Sequence, residues 1–168
     1  MTETRWLDDD EQRTWRIFLM AVHLLDGALD RQLRHDSGIP HAYYQILAML
    51  SEAPNRELTM TRLARLLRSS PSRLSHAAAR LEAEEMIRRF KRPGDRRTTL
   101  VELTDKGMET LREAAAGHVQ EVRRLVFDTL TREQVGQLRE ISEAMLGSLD
   151  PHDEEPRYPD PKGPGVRN

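Results

Sequence analysis

"SSPSRLSHAAARLEAEEMIRRFKRPGDRRTTLVELT", residues 69–104, predicts a helix followed at once by a β-hairpin. Ser70-Pro71 supplies a helix N-cap and a proline at the first helical position. An apolar stripe at helical spacing follows, at Leu74, Ala77, Ala78 and Leu81. Residues 87–92 and 97–103 are rich in strand-forming side chains and flank a turn at Pro93-Gly94, so these two runs are predicted to pair.

A shorter helix is predicted immediately before this segment, capped by Thr59 or Thr61, with Leu63, Leu66 and Leu67 on one face. Two short helices joined by a tight turn and followed by a β-hairpin describe a winged helix-turn-helix. The face of the later helix opposite Leu74 is small, polar or cationic, which suits a helix that enters the major groove of DNA. That face carries Ser72, Arg73, Ser75, His76, Ala79 and Arg80.

Positive charge is concentrated in the same part of the chain. Residues 62–97 contain eleven basic and four acidic residues, although the whole chain of 168 residues has a net charge of −2. A solvated charged face is the alternative explanation for a single basic cluster, but a basic hairpin beside a polar helix favours a nucleic-acid surface. The hairpin would then follow the DNA backbone into the adjacent minor groove. Because a carboxylate repels phosphate, Asp95 is expected to cap the turn or to hold the Arg97 guanidinium.

Apolar stripes also mark the two ends of the chain. A first helix, beginning near Asp9 or Asp10, carries Trp15, Phe18, Val22, Leu25, Leu29 and Leu33. A long helix capped by Thr104 extends to about Asp128 and carries Met108, Leu111, Ala115, Val119, Val122 and Val126. The capping box Thr131–Gln134 opens a last helix, with Val135, Leu138, Ile141 and Met145.

The predicted fold class is therefore mostly α, a winged helix-turn-helix with a helical dimerisation region built from the N- and C-terminal helices. The predicted parts are residues 1–37, an N-terminal dimerisation helix; 38–104, the DNA-binding lobe; 105–149, the C-terminal dimerisation helices; and 150–168, a disordered tail rich in proline. A homodimer would bury the striped end helices and present two recognition helices to a pseudo-palindromic site in double-stranded DNA. Core packing within one chain is the alternative for each stripe.

Several function classes are excluded or disfavoured by composition. The chain has no cysteine, so disulfides, thiolate nucleophiles and cysteine-based metal sites are excluded. The six histidines include no pair three or four residues apart, so no metal site is predicted. No phosphate-binding glycine loop or nucleophile motif points to an enzyme, and no cofactor is expected. The absence of a long apolar run or a signal peptide predicts a cytoplasmic protein.

Residues 58–107 resemble the multiple-antibiotic-resistance-regulator (MarR) family of bacterial transcription factors. Asp95-Arg96-Arg97 is similar to the D-x-R signature of that family's wing, and Leu103-Thr104 with Gly107 is similar to the "LT..G" pattern that opens the fifth helix. The helical order extends the resemblance over about residues 10–147. Two residues depart from the family pattern: Glu85 stands where a glycine is common, and His76 stands where an arginine is common.

The resemblance implies a dimeric repressor that a small aromatic or phenolic ligand releases from its operator. The predicted DNA-binding residues are Ser70, Ser72, Arg73, Ser75, His76, Arg80, Arg92, Asp95, Arg96 and Arg97, with Arg97 in the minor groove. The candidate ligand-binding residues are Trp15, Arg16, His23, Tyr43 and Tyr44. A dimeric architectural protein that binds DNA without strong sequence preference is the alternative, and it would bind tightly only at low salt.

Overall fold

Six helices and three short strands make up the computed structural model, which describes residues 4–95 and 97–149. In chain order the elements are α1 (Asp9–Ser37), α2 (His41–Glu52), β1 (Glu57–Thr59), α3 (Met60–Leu66), α4 (Pro71–Ala83), β2 (Ile87–Phe90), β3 (Leu100–Leu103), α5 (Asp105–Val122) and α6 (Arg132–Leu149). A 3-10 turn at Pro54–Arg56 precedes β1, and a π-helical turn at Arg123–Phe127 continues α5. The first helix, the two short helices, the hairpin and the two C-terminal helices occur in the predicted order. The predicted disordered tail, residues 150–168, lies outside the described residues.

Side-chain caps set most of the helix starts. The Ser70 hydroxyl accepts a hydrogen bond from the Arg73 backbone nitrogen at the start of α4, and Thr59 caps α3 in the same way. Thr131 and Gln134 form the predicted capping box at α6. At α1 the cap is Asp8, whose carboxylate accepts from the Glu11 backbone nitrogen. The helix consequently begins at Asp9, where the carboxylates predicted a start.

The three strands form one antiparallel sheet with β3 in the middle and β1 and β2 at its edges. In the register, Arg88 lies opposite Glu102 and Leu58 lies opposite Val101. Strands β2 and β3 are shorter than the predicted 87–92 and 97–103. The reason is local, because Asp95 accepts hydrogen bonds from the backbone nitrogens of Arg97 and Thr98 and diverts them from the ladder.

The hydrophobic core lies between α2, α3, α4, the sheet and the facing parts of α1 and α5. Its fully buried side chains include Leu33, Ile46, Leu47, Leu50, Leu63, Leu74, Leu81, Ile87 and Val101. The buried apolar residues run from Leu29 to Ala114, so α6 and the first part of α1 contribute none of them. The terminal regions meet where α1 packs along α5. Among the described helices, none combines the length and the apolar content that crossing a lipid bilayer requires.

Candidate nucleic-acid interface

The solvent face of α4 carries the helix residues predicted to contact DNA. Ser72, Arg73, Ser75, His76 and Arg80 are all exposed. They stand opposite a stripe that is fully buried. The stripe consists of Leu74, Ala78 and Leu81. The helix is therefore anchored through one face, which leaves the polar face open along the whole of α4. Ser70 has a local task, because its hydroxyl caps this helix.

The guanidinium groups of three residues predicted to contact DNA have no partner within the part of the chain that the structure describes. Within residues 4–95 and 97–149, the side chains of Arg73, Arg80 and Arg97 have no hydrogen-bond or ion-pair partner. Arg73 and Arg80 lie on α4, and Arg97 lies in the loop between β2 and β3. A guanidinium without a protein partner can donate to a phosphate or a base edge without first breaking an ion pair.

The loop between β2 and β3 is organised by Asp95. Its Oδ1 atom accepts hydrogen bonds from the backbone nitrogens of Arg97, at 2.9 Å, and Thr98, at 3.0 Å. Hydrogen bonds from Thr98 and from the Arg97 backbone hold the pKa of the Asp95 carboxyl below its usual value. Gly94 adopts a positive φ of 88°, which completes the turn after Pro93. Of the two expected tasks for Asp95, capping the turn is the one the structure shows. Arg96, also predicted as a contact, lies outside the described residues.

Other arginines of the hairpin are paired with carboxylates of the fold. Arg88 binds Glu102 on the neighbouring strand, with a shortest N–O distance of 2.5 Å. Arg92 donates to Glu57 of β1 at 3.1 Å, although its side chain remains 65% exposed. Arg89 binds Glu82 of α4. The positive charge of the basic segment is thus partly neutralised within the protein. The number of basic residues therefore overstates the number of side chains that can bind DNA phosphates.

The turn between α4 and β2 explains how Glu85 replaces a glycine. Glu85 adopts a φ of 60°, in the left-handed region that favours glycine. Its backbone nitrogen donates to the Glu82 carbonyl, and the Met86 nitrogen donates to the Leu81 carbonyl. These two hydrogen bonds form a Schellman motif, and the buried Met86 and Leu81 side chains supply its apolar contact. Glutamate therefore keeps the turn that glycine would make, at a conformational cost of about 1–2 kcal/mol.

The same turn is attached to the start of α5 through Thr104 and Gly107. The single hydrogen of the Thr104 hydroxyl is shared between the carbonyls of Glu85, at 2.7 Å, and Met86, at 2.9 Å, and the hydroxyl oxygen accepts from the Gly107 nitrogen. A Cβ atom at Gly107 would overlap the Met86 carbonyl oxygen and lie 2.7 Å from Leu103 Cδ1. The "LT..G" pattern thus has a physical reason, since only glycine lets α5 approach the end of the α4 helix this closely.

The five candidate ligand-binding residues are not brought together within one chain. Trp15, Arg16 and His23 lie exposed on the first part of α1. Tyr43 and Tyr44 lie half-buried on α2 and pack against the core. The helix α2 meets α1 near Asp30, whose carboxylate accepts from the His41 backbone nitrogen. Trp15 precedes Asp30 by 15 residues, or roughly 22 Å of helix.

A polar cluster between α1, α2 and α5 was not predicted from the sequence. The His118 ring lies 4.3 Å from the Tyr44 ring and 5.5 Å from the His41 ring, between centroids. Among the described residues, His118 Nδ1 and Gln32 Oε1 are buried without a hydrogen-bond partner. Burial, and secondarily His41, lowers the pKa of His118, whereas burial raises the pKa of Tyr44. Only Tyr44 of the predicted ligand-binding residues belongs to this cluster. His41 and His118 are 77 residues apart, so no spacing rule could have joined them.

Metal binding receives no support from the geometry. Within residues 4–95 and 97–149, no group of three or more His, Cys, Asp or Glu side chains could hold an ion. The His41 ring nitrogen instead contacts the Asp26 carboxylate at 3.1 Å.

Comparison with known proteins identifies the fold. A family model described as the MarR family matches residues 37–98. The structure is similar to Sco3205 of Streptomyces coelicolor, a MarR family transcriptional regulator in complex with DNA, with 46% identity, a TM-score of 0.85, and coverage of 92% of this chain and 98% of Sco3205. It is also similar to AbsC, a MarR family regulator of the same organism, with 37% identity, a TM-score of 0.82, and coverage of 87% and 98%. The transcriptional repressor MprA of Escherichia coli strain K12 is 28% identical over 78% of this chain and 75% of its own length. The winged helix-turn-helix geometry and these likenesses together show that the chain belongs to the MarR family of transcriptional regulators.

Proposed function

We propose that this protein is a dimeric, sequence-specific DNA-binding repressor whose operator is a pseudo-palindrome. The observation that carries the proposal is the exposed face of α4, where Arg73 and Arg80 have no partner among the described residues and carboxylates are absent from Pro71 to Leu81. Helices of this kind read base edges in the major groove through their N-terminal residues. Ser72, Arg73, Ser75 and His76 are the residues proposed to meet bases. Membership of a transcription regulator family agrees with the expectation that the chain is not an enzyme.

The hairpin is proposed to bind the adjacent minor groove, with Arg97 inserted and Arg92 and Arg96 on the backbone. The Asp95 cap supports this role, because it shapes the loop while leaving the Arg97 guanidinium without a partner among the described residues. Arginine in the minor groove responds to groove width and to its negative potential more than to individual bases. Arg80 is proposed to bind phosphate. Ser70 and Asp95 are proposed to act at the interface through the backbone positions they fix.

A second copy of the chain is the proposed cover for the apolar ends. Large apolar side chains are exposed on α1, α5 and α6, among them Trp15, Phe18, Val22, Val119, Leu138, Ile141 and Met145. Exposed apolar stripes on three helices are typical of an interface. The proposed parts remain residues 1–37 and 105–149 for dimerisation and 38–104 for DNA binding. A two-fold dimer presents two α4 helices to successive half-sites. Acting on genomic DNA, such a regulator would work in the cytoplasm.

The helix and the wing can be tested separately with Arg97→Ala and His76→Ala. Competition binding on an operator duplex and a scrambled duplex, at two salt concentrations, measures both variants. Arg97→Ala is expected to weaken binding to both duplexes and to flatten the salt dependence by about one phosphate equivalent per subunit. His76→Ala is expected to cost roughly 1–3 kcal/mol, mainly on the operator. Equal loss on both duplexes for His76→Ala would contradict its base-reading role.

The same measurement separates a repressor from an architectural protein. An operator, obtained by footprinting DNA that flanks the protein's own gene, should bind at least about 10³ times more tightly than scrambled DNA at physiological salt. Binding that is strong only at low salt and indifferent to sequence would identify the architectural alternative.

A small aromatic or phenolic acid is the proposed effector class. The cluster of Tyr44, His41 and His118 supports a site between α2 and α5, because it combines aromatic surface with the unpartnered polar atoms His118 Nδ1 and Gln32 Oε1. Trp15, Arg16, His23 and Tyr43 remain proposed only as contributors across a dimer. Thermal-shift measurements with benzoate and its hydroxylated analogues test the proposal. A shift in the wild type that persists unchanged in Tyr44→Ala would place the site elsewhere.

A further inference from the structure

Glu82 and Arg89 join the recognition helix to the wing. Glu82 lies one residue before the end of α4, and Arg89 is the third residue of β2. Glu82 Oε1 accepts from the Arg89 backbone nitrogen at 2.9 Å. Glu82 Oε2 accepts from Arg89 Nε at 2.9 Å and from an Arg89 terminal nitrogen at 2.6 Å. A single carboxylate thus takes three hydrogen bonds from one residue of the neighbouring element.

The Glu82–Arg89 pair lies where it can fix the orientation of the hairpin relative to α4. The strand β2 lies at the edge of the sheet, so its outer backbone groups have no neighbouring strand to pair with. The Arg89 backbone nitrogen is one of these groups, and it donates to Glu82 instead. The covalent link between α4 and β2 is only the turn around Glu85, and Thr104 fixes the base of that turn. Glu82 adds a contact beyond the turn, two residues into the strand after Ile87. Both side chains are partly buried, with 36% of Glu82 and 28% of Arg89 exposed.

Electrostatics alone would disfavour a carboxylate at this place. Glu82 stands on the helix proposed to enter the major groove, and its charge repels phosphate. It also occupies an arginine that would otherwise be available to DNA. Removing Glu82 therefore deletes a negative charge and releases a positive one, and both changes favour DNA binding in general. A loss of operator affinity on removing Glu82 would need a geometric cause.

We propose that Glu82 is a positioning residue for sequence-specific binding, and that through Arg89 it sets the angle between α4 and the hairpin so that His76 and Arg97 reach adjacent grooves at the same time. The inference rests on the proposed function, since it assumes that the helix and the wing bind DNA together. Glu82 itself touches no DNA. On an operator, His76 and Arg97 must fit one fixed geometry, so a misplaced wing lowers affinity there. On unrelated DNA no such fit is required, so affinity does not depend on the position of the wing.

Glu82→Ala and Glu82→Gln test this role, with Glu84→Ala as the matched control. Glu84 is an exposed glutamate at the end of the same helix, and its side chain has no partner within the described residues. Glu82→Ala is expected to lower operator affinity about tenfold, the scale of a lost charged hydrogen bond, and to leave scrambled-DNA affinity unchanged or higher. Glu82→Gln retains an acceptor for the Arg89 nitrogen and should fall between. Glu84→Ala should leave operator affinity unchanged or slightly higher.

A double-mutant cycle with Arg97 supplies a readout that loss of stability alone would not move. In the wild type, Arg97→Ala removes a wing contact that has been placed correctly. In the Glu82→Ala background the wing is misplaced on the operator. Arg97→Ala should then lower operator affinity at most about twofold. Thermal unfolding of each variant identifies one that does not fold, in which case Glu82→Gln carries the cycle.

Three results would overturn the inference. Tighter binding of Glu82→Ala to both duplexes would show that only its charge matters. Weaker binding with the full Arg97→Ala cost retained would show that Glu82 acts without the wing. If Arg97→Ala costs nothing in the wild type, the proposed function loses its minor-groove contact and the inference falls with it. That last result is visible before Glu82 is changed, so the two failures are distinguishable.

Discussion

In residues 38–104, the proposed DNA-binding lobe, the apolar stripes of α2, α3 and α4 are buried or half-buried, whereas the stripes of α6 and of the first part of α1 are exposed. Leu47, Leu50 and Leu63 are 0% exposed. On α1 and α6, by contrast, Trp15 is 49% exposed and Ile141 is 57% exposed. The periodicity is equally regular in both regions. An apolar stripe therefore predicts that a helix face will be covered, but it does not say which chain covers it.

The two regions also differ in what completes them. Within one chain the sheet, α2 and the turn after α4 all pack on one core, which the facing parts of α1 and α5 complete. Among the terminal helices, α1 and α5 pack on each other and on α2, whereas α6 and the first part of α1 contribute no buried apolar residue. If a second copy completes them, disrupting the ends should cost more function than disrupting any single contact in the lobe.

The largest effect is expected from Leu138→Asp combined with Ile141→Asp. Each change places a carboxylate on the exposed stripe of α6, where burial against a second copy would leave the charge unpaired at a cost of several kcal/mol. We expect loss of the dimer, followed by aggregation or unfolding, and at least about a hundredfold loss of operator affinity, because one recognition helix cannot fill two half-sites. Sedimentation velocity measures the assembly.

Glu140→Lys is the control for charge on α6, because Glu140 lies about 150° around this helix from the centre of the stripe of Val135, Leu138, Ile141 and Met145. It should leave the sedimentation coefficient unchanged. A double variant of Leu138 and Ile141 that remains a folded dimer would contradict the exposed stripe as the interface.

The next largest effect is expected at the joint between the two regions. Gly107→Ala would drive a methyl group into the Met86 carbonyl and the Leu103 side chain, so α5 must move away from the turn after α4. Overpacking of this kind costs about 1–3 kcal/mol, and backbone cannot yield as a side chain can. Chemical denaturation should show this loss in the free energy of unfolding.

Gly147→Ala is the matched control, since a Cβ atom at Gly147 meets nothing within 4 Å. In a helix the same substitution should be neutral or stabilising by up to about 1 kcal/mol. Equal behaviour of the two variants would show that the close approach at Gly107 is not a constraint.

Local chemistry explains why so much of the lobe was predictable. Ser70, Thr104 and Thr131 cap helices through contacts three residues away, and such contacts are visible in a sequence. The exposed face of α4 followed from the position of Leu74 in its stripe. The strand ends were less predictable, because Asp95 competes for backbone nitrogens that the strand pattern assigned to the ladder.

Long-range pairings explain most of what the sequence did not reveal. Glu57 and Arg92 are 35 residues apart, and His41 and His118 are 77 apart, so only the folded chain brings them together. Basic residues of the hairpin were interpreted as DNA contacts because nothing in the sequence shows which carboxylates pair with them. The positive φ at Glu85 was also hidden, since glutamate gives no signal for a left-handed turn.

A smaller effect, of opposite sign, is expected at that turn. Glu85→Gly relieves the left-handed strain of about 1–2 kcal/mol but increases the entropy of the unfolded chain, so a net gain of about 0.5–1 kcal/mol is expected. The 3.7 Å ion pair with Lys106 is exposed, and its loss should change little. Ala83→Gly, two residues earlier in ordinary helical geometry, should instead destabilise by up to about 1 kcal/mol. If both variants shift the denaturation midpoint in the same direction relative to the wild type, the assigned turn is contradicted.

The smallest effect is expected at His118, which lies where α5 meets α1 and α2. Burial holds the pKa of His118 below its usual value, so the native state favours the neutral ring. As the pH falls below about 6.5, the unfolded chain takes up a proton at this position before the native state does. The free energy of unfolding should therefore decrease as the pH is lowered from 7.5 to 5.5. The stability that comes from burying the neutral His118 ring is fully present at the upper end of this range and is lost as the pH falls.

His118→Gln should remove that part of the pH dependence, which appears in the difference between the wild-type and variant curves. The carboxyls of Asp30, Asp36, Glu82, Asp95 and Glu121, whose pKa values are lowered, act at more acidic pH. The raised pKa of Glu52 works in the opposite direction, but it is common to both proteins and cancels in the difference. His76→Gln, at an exposed position on α4, is the control substitution measured in parallel. A difference curve for His118→Gln that is flat between pH 5.5 and 7.5 would show that the ring is hydrated in the native state. His118 would then not be a buried polar group, and this junction would lose the feature that distinguishes it from the exposed ends of the molecule.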